Sequence, residues 1–279
     1  MSVPTTFRIK PRQPRNLALA KVCGGRAGFS VLEMMVALMV FLIVATLMMA
    51  AAREVYKMSL SSKSEANLHE LAEANLLYAA DHNGFYCPAQ EPRNLVRWHG
   101  ARPSVSAKFD PTKGYLYPYL QDSGQSLHCP IFESFYPQST ETFENGAGDY
   151  GYNEMYIGGT PKDQFKPERV ANVTNPPRTI MFTDTCLPRG DGIQEYPFSE
   201  PYYAVNPNES MGGAMCPSVQ FRHHGLAHVA WCDGSVTAEA PMLIGSTNIY
   251  GGDNQKYQTG WLGPDLNNGW WNSRQDPNL

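Results

Sequence analysis

Residues 27–52 read AGFSVLEMMVALMVFLIVATLMMAAA. From Met34 to Ala52 this is nineteen residues with one Thr and no charge. At about 1.5 Å per residue that is enough helix to cross a hydrocarbon core of about 30 Å. Arg53 closes the run on one side. On the other, residues 1–28 carry Arg8, Lys10, Arg12, Arg15, Lys21 and Arg26 and no acid. The positive-inside rule therefore places residues 1–28 in the cytoplasm and everything after the span outside it. A secretory signal peptide has a shorter apolar core, with its cleavage site after that core. Here the run is longer and the Gly precedes it.

The rest of the chain has a different texture. Taking the six leader cations from the 22 Lys and Arg leaves 16 against 26 acids, a net of −10. A charged fraction of 17% excludes a coiled coil or a disordered acidic tail, and a net charge of −4 gives no nucleic-acid footprint. Phe29 to about Asp81 reads as one helix of roughly 80 Å. Its second half is rich in Glu, Ala, Leu and Lys, with Leu71, Ala74, Leu77 and Tyr78 recurring at three- and four-residue steps. Asn83-Gly84 is a helix stop. From Phe85 onward, Pro and Gly punctuate short aromatic runs, and strands are expected at 179–184 (TIMFTD), 227–232 (AHVAWC) and 235–239 (SVTAE). The organisation is thus a leader at 1–28, a long helix at 29–82 with its membrane segment at 34–52, and an extracytoplasmic α+β body at 83–279.

Gly28-Phe29-Ser30-Val31-Leu32-Glu33-Met34, followed by an apolar helix, resembles the prepilin signal of type IV pilins and type II secretion pseudopilins. The resemblance implies cleavage by a prepilin peptidase after Gly28, with methylation of the new amine on Phe29. Glu33 becomes the fifth mature residue. A carboxylate at the edge of a membrane helix is expensive and needs a partner, and in that family the partner is the terminal amine of a neighbouring subunit. A mere anchor would have no use for a carboxylate there. The implied fold is pilin-like, a long N-terminal helix packed on an antiparallel sheet.

Phe221-Arg222-His223 through Asp233-Gly234 resembles, in its His-X9-Asp-Gly spacing, an element of large prepilin-like proteins. Weaker pieces agree with it: Tyr117-Pro118-Tyr119-Leu120 before His128-Cys129-Pro130, and Asp149-Tyr150-Gly151-Tyr152-Asn153. Asp233-Gly234 between two strand-like runs is also a two-residue hairpin signal, because a type I′ turn needs positive φ at both positions. His223, His224, His228 and Cys232 invite a zinc reading, but their spacing is neither CxxC nor HExxH. A Ser-His-Asp hydrolase reading has no nucleophile elbow behind it.

Cys23 leaves with the leader. Cys87, Cys129, Cys186, Cys216 and Cys232 remain in a compartment that permits disulfides, and five is odd. A Cys87–Cys129 bond is expected to pin the helix end to the body, with Cys186–Cys216 as a second pairing and Cys232 a buried thiol. In the tail, Asp253, Asp265, Asn267 and Asn268 offer hard oxygen ligands of the kind that the late-loop calcium site of major pseudopilins would use, but no EF-hand pattern is present and the stretch reads first as a solvated loop. Trp261, Trp270 and Trp271 suit a glycan platform or body packing. The expected function is a non-enzymatic, cofactor-free pseudopilin-like subunit of the inner membrane. Its partners would be prepilin peptidase, other pilin-like subunits and the inner-membrane assembly machinery. The alternatives are an anchored binding module that does not polymerise and an anchored hydrolase.

Overall fold

The computed structural model describes residues 28–121, 124–136, 144, 146–160, 164–203 and 213–276; the leader at 1–27, with Cys23, lies outside them. The chain divides into two compact units, residues 1–51 and 52–279. Helix α1 (Val31–Asp81) contributes to both.

In the first unit, Ser30 stands just ahead of α1. Its Oγ accepts the Leu32 N–H at 3.3 Å, and Glu33 Oε2 accepts the Ser30 N–H at 2.9 Å. This is a capping box, in which two side chains satisfy amides that the helix start leaves bare. Every large apolar side chain from Val31 to Val44, and Leu47 to Met49 beyond, is exposed. α1 contains a window long and apolar enough to cross a membrane.

In the second unit, α1 buries Ser64, Asn67, Leu68, Leu71, Ala72, Ala74, Asn75, Tyr78 and Ala79, a stripe at three- and four-residue steps. Leu77, expected on it, is exposed. The helix ends where expected. Asn83 and Gly84 take positive φ, and the Gly84 N–H returns to the Ala79 carbonyl at 2.8 Å.

Among the described residues the body has eleven short strands: β1 (Val96–Arg97), β2 (Gly100–Ala101), β3 (Tyr150–Tyr152), β4 (Ile180–Asp184), β5 (Leu187–Arg189), β6 (Gly192–Gln194), β7 (Val219–Gln220), β8 (Ala227–Trp231), β9 (Val236–Glu239), β10 (Leu243–Ile244) and β11 (Thr259–Trp261). Its centre is an antiparallel sheet in the order β3-β4-β8-β9. A second antiparallel sheet runs β10-β11-β7, and two hairpins, β1-β2 and β5-β6, complete the set. Two short helices, α2 (Pro130–Phe135) and α3 (Asn254–Tyr257), follow Cys129 and Asp253. The architecture is α+β.

Alternation along β8, with a register shift in β4 between Ile180 and Phe182, sorts the core into two layers. Tyr150, Tyr152, Phe182 and Ala230 pack with Leu68, Leu71, Ala72 and Tyr78 of α1. Ile180, Val229 and Trp231 face the other way, onto Val219, Phe221, Leu262 and Trp271. Asp184 and His228 share the parity of Phe182 and Ala230, so the α1 side of the sheet carries the polar groups.

Two turns differ from expectation. The β8–β9 connection is not a type I′ turn. The Gly234 N–H meets the Trp231 carbonyl and the Trp231 N–H meets Ser235 O, both at 2.9 Å. Of the two residues, only Gly234 has positive φ, +88°. That is a type I turn closed by a left-handed glycine, the three-residue hairpin loop, and it takes Cys232 out of the strand. Asp233 Oδ1 accepts the Ser235 N–H at 2.9 Å, which favours this turn. The I′ geometry falls at His224 and Gly225 instead (φ 54° and 84°), with reciprocal His223–Leu226 backbone bonds of 2.9 and 3.0 Å.

The expected Cys87–Cys129 disulfide is absent, and all five described cysteines are free thiols. The Cys87 N–H bonds Asn75 Oδ1 at 2.8 Å, whereas Cys129 Sγ lies 3.4 Å from Ser64 Oγ. Those helix positions are about 16 Å apart along α1, and a disulfide needs Cα atoms within about 7 Å. The Cys186–Cys216 pairing is likewise not formed. Cys232 is a buried thiol.

Candidate functional site

His223 leaves the I′ turn just before β8 and points inward. Its Nδ1 lies 2.8 Å from Ser61 Oγ on α1, and its Nε2 3.1 Å from Asp184 Oδ2 at the end of β4. The His228 ring stacks on it at 3.8 Å between centroids, and the His228 N–H donates to the same Asp184 oxygen at 2.7 Å. Arg222, from the neighbouring position, brings Nε to 3.5 Å from Asp184 Oδ1. Its Nη2 donates to the carbonyls of Asp149 (2.7 Å) and Thr185 (2.9 Å), and its guanidinium lies over the Phe132 ring.

Cys129 adjoins this group. Its N–H donates to Asp149 Oδ2 at 3.0 Å, and its Sγ faces Ser64 Oγ, which is 2.9 Å from the Tyr150 hydroxyl. Cys129, Asp149, Tyr150, Asp184, Arg222, His223, His228 and Ser64 are all buried. Three separate stretches, around Cys129, around Asp149-Tyr150 and at His223, thus converge with the end of β4 on one stretch of α1. A cavity of about 390 Å3 lined by Ile131, Tyr136, Phe221, Arg222, His223 and Gln258 reaches this cluster from outside.

Electrostatics here follow from burial set against paired charge. Burial pushes the His223 imidazole down, but the Asp184 carboxylate outweighs it and lifts the ring to about 9. Burial pushes Asp184 up, and His223 and Arg222 together hold it well below the usual carboxylate range. Burial raises the Cys129 thiol, yet Arg222 and the hydrogen bond with His223 bring it below its ordinary value. Asp149 is driven well above the carboxylate range by burial, and the His228 ring is pushed down by the same cause.

Ser61, His223 and Asp184 lie in the order of a hydrolytic relay, but a doubly protonated ring has no lone pair to take the serine proton. The cluster is an ion-pair lock within the body, tied to α1 through the Ser61–His223 and Ser64–Cys129 contacts.

Asp233 and Gly234 lie at the opposite end of β8 from His223. Gly234 sits against Leu76, since a Cβ there would be 3.6 Å from Leu76 Cδ1. The nine-residue spacing is thus the length of one turn and one strand, running beside α1 from Ser61 to Leu76. His224 is exposed in its turn, and Cys232 packs in the main core cluster; neither belongs to the site. Sequence reasoning missed Ser61, Ser64, Asp184 and Arg222. The signal for Asp184 was a lone acid closing the apolar run IMFT.

The other sequence candidates have local roles. Asp253 Oδ1 accepts the Lys256 N–H and caps α3, and Asn267 Oδ1 accepts the Gly269 N–H at 2.8 Å. Asn268 is buried between Tyr156 and Tyr203, while Asp265 stays exposed. Trp261 and Trp271 are buried, and Trp270 stands edge-on to Trp231 at 5.5 Å, which is body packing. At the other end of the chain, Gly28 and Phe29 are exposed ahead of the α1 cap, and Glu33 is engaged with Ser30. An anchor therefore does have a use for that carboxylate, contrary to the sequence expectation. Compared with protein-family models, curated proteins and solved structures, the chain matches none.

Proposed function

We propose that this chain is a non-enzymatic, pilin-like filament subunit. Prepilin peptidase cuts it between Gly28 and Phe29, and the inner membrane holds it by residues 34–52 until the assembly machinery packs it against other subunits of its kind. The carrying observation is the single helix Val31–Asp81. Its uncharged first part exposes its apolar side chains, directly behind Gly28, Phe29 and Glu33, while its second part is the spine of an antiparallel body. Lipid covers such a surface in the membrane, and the same surface of neighbouring helices covers it in a filament.

One observation favours a second reading, a membrane-anchored binding module that does not polymerise. The Ser30–Glu33 capping box employs the carboxylate within one chain. Processing separates the two readings first. N-terminal sequencing and mass spectrometry of the membrane-bound form should give a chain starting at a methylated Phe29. An intact leader in cells that contain prepilin peptidase would overturn the filament reading.

A further inference from the structure

We infer that Cys129, Asp184 and His223 form a binding site for one zinc-class divalent ion, set between the central sheet and α1. One ligand atom from each residue lies within 4.8 Å of the others, and all three side chains are buried. Among the described residues, this is the group of three or more His, Cys, Asp or Glu side chains gathered this closely. In a tetrahedral zinc site with bonds of about 2.0–2.3 Å, neighbouring ligand atoms lie about 3.3–3.6 Å apart. His223 Nε2 and Asp184 Oδ2 are already 3.1 Å apart. The thiol, within 4.8 Å of both, closes the remaining edges by a small shift.

Two further features point to a ligand. First, His223 Nε2 is buried and, although 3.1 Å from Asp184 Oδ2, has no aligned hydrogen-bond partner. Buried polar atoms in folded proteins are nearly always paired, so this nitrogen is available to a ligand. Second, the rear nitrogen of the imidazole is already held, as metal-bound histidines require. Ser61 Oγ lies 2.8 Å from Nδ1, which holds the ring with Nε2 toward the carboxylate.

The donor set chooses the ion. One thiolate, one imidazole and one carboxylate suit zinc, and they disfavour calcium and magnesium, which want oxygen alone. The fourth position belongs to water entering from the cavity beside His223. Binding replaces the imidazole and thiol protons, which leave to solvent. The Arg222 guanidinium stays on the outer carboxylate oxygen and on the Asp149 and Thr185 carbonyls. The ion would fasten three body segments near a single stretch of α1.

The test uses the full-length protein in detergent, carrying no polyhistidine tag, stripped with chelator and titrated with Zn2+ and separately with Co2+. The expected result is one zinc per chain, and a cobalt complex with a near-ultraviolet thiolate charge-transfer band. Cys129→Ser should lose that band. Ser61→Ala, which removes only the group behind the imidazole, should weaken zinc binding by about 10-fold. His224→Asn, at an exposed turn position, should leave affinity unchanged. Failure of the wild-type chain to take up stoichiometric zinc, or a cobalt spectrum without the thiolate band, overturns the inference without any variant needing to fold. Persistence of the band in Cys129→Ser would move the site elsewhere and overturn it as well.

Discussion

Asp184→Asn is the sharpest perturbation of the body, because it removes one charge and little volume. The Asp184 carboxylate faces the His223 imidazole at 3.1 Å and Arg222 Nε at 3.5 Å, and it accepts the His228 N–H at 2.7 Å. An amide can keep the last contact but cannot balance either cation. The carboxylate contributes to raising His223 from 6.5 to about 9, and a shift of that size corresponds to about 3 kcal/mol. Breaking a buried pair from one side costs about 3–5 kcal/mol, so the two routes together put the loss at roughly 3 kcal/mol, fully expressed below pH 6.5. The sign with pH follows from linkage. A histidine whose folded value lies above its unfolded one stabilises fully below pH 6.5, and that contribution is lost as pH rises through about 9. The gap between wild type and variant should therefore narrow above pH 9. Urea unfolding of chelator-treated protein in detergent, followed by tryptophan fluorescence, measures the loss. An NMR titration should show the His223 ring falling below its ordinary value in the variant. A loss under about 1 kcal/mol, with His223 still titrating near 9, would refute the ion-pair lock.

Glu154 tests burial elsewhere in the body. Burial, helped by the nearby Glu200, lifts its carboxyl to about 8, while its Oε1 accepts from Gln90. The folded state then holds a proton that the unfolded chain has released, so stability falls as pH rises from about 4.5 to 8. Glu154→Gln should flatten that slope and gain on the order of 2 kcal/mol at pH 8.5; an unchanged melting profile from pH 5 to 8.5 would contradict it. Peptide mapping of the mature chain without reductant should find five free thiols, Cys87 and Cys129 among them, and a peptide joined through these two would overturn the placement of Ser64 and Asn75 at separate levels. Leu71→Ala, at a fully buried position on the α1 stripe, should cost about 2–5 kcal/mol, whereas Leu77→Ala should stay within about 0.5 kcal/mol; equal effects would mean that the helix docks by another face.

Readability from sequence followed how strongly local composition is constrained. A helix apolar enough to cross a membrane permits almost no charge, so Met34–Ala52 stood out, and Asn83-Gly84 marked the helix end because few other residues accept positive φ. Strands β4, β8 and β9 were legible as β-branched and aromatic runs between Gly and Pro. Strands of two or three residues, such as β1, β7 and β10, are too short to show a period, and their pairing depends on distant partners. At the site, His223 stood out through its spacing from Asp233-Gly234. Its partners did not, because Ser61, Cys129 and Asp184 meet it only through tertiary packing. The disulfide expectation failed for a related reason. A Cys before Pro indicates a loop, but says nothing about the level at which that loop meets α1. The Asp-Gly pair misled in register: one extra residue turned the expected I′ turn into a type I turn with a left-handed glycine, and His224-Gly225 took the I′ geometry.

The filament reading requires the charge of Glu33, and the capping box supplies the variant that isolates it. Glu33→Gln keeps a side chain able to accept the Ser30 N–H, since glutamine serves in capping boxes, so helix start, membrane insertion and cleavage after Gly28 should all persist. It removes the carboxylate that would pair with the Phe29 amine of a neighbouring subunit. The measurement is the yield of inter-subunit cross-links in membranes and sheared filaments, from wild type and Glu33→Gln expressed at equal levels with equal processing. A loss of at least about 10-fold, equivalent to about 1.4 kcal/mol per contact, is the predicted result. Cross-linking of Glu33→Gln at the wild-type level would contradict the polymerising account and leave the carboxylate as the cap of an anchor helix.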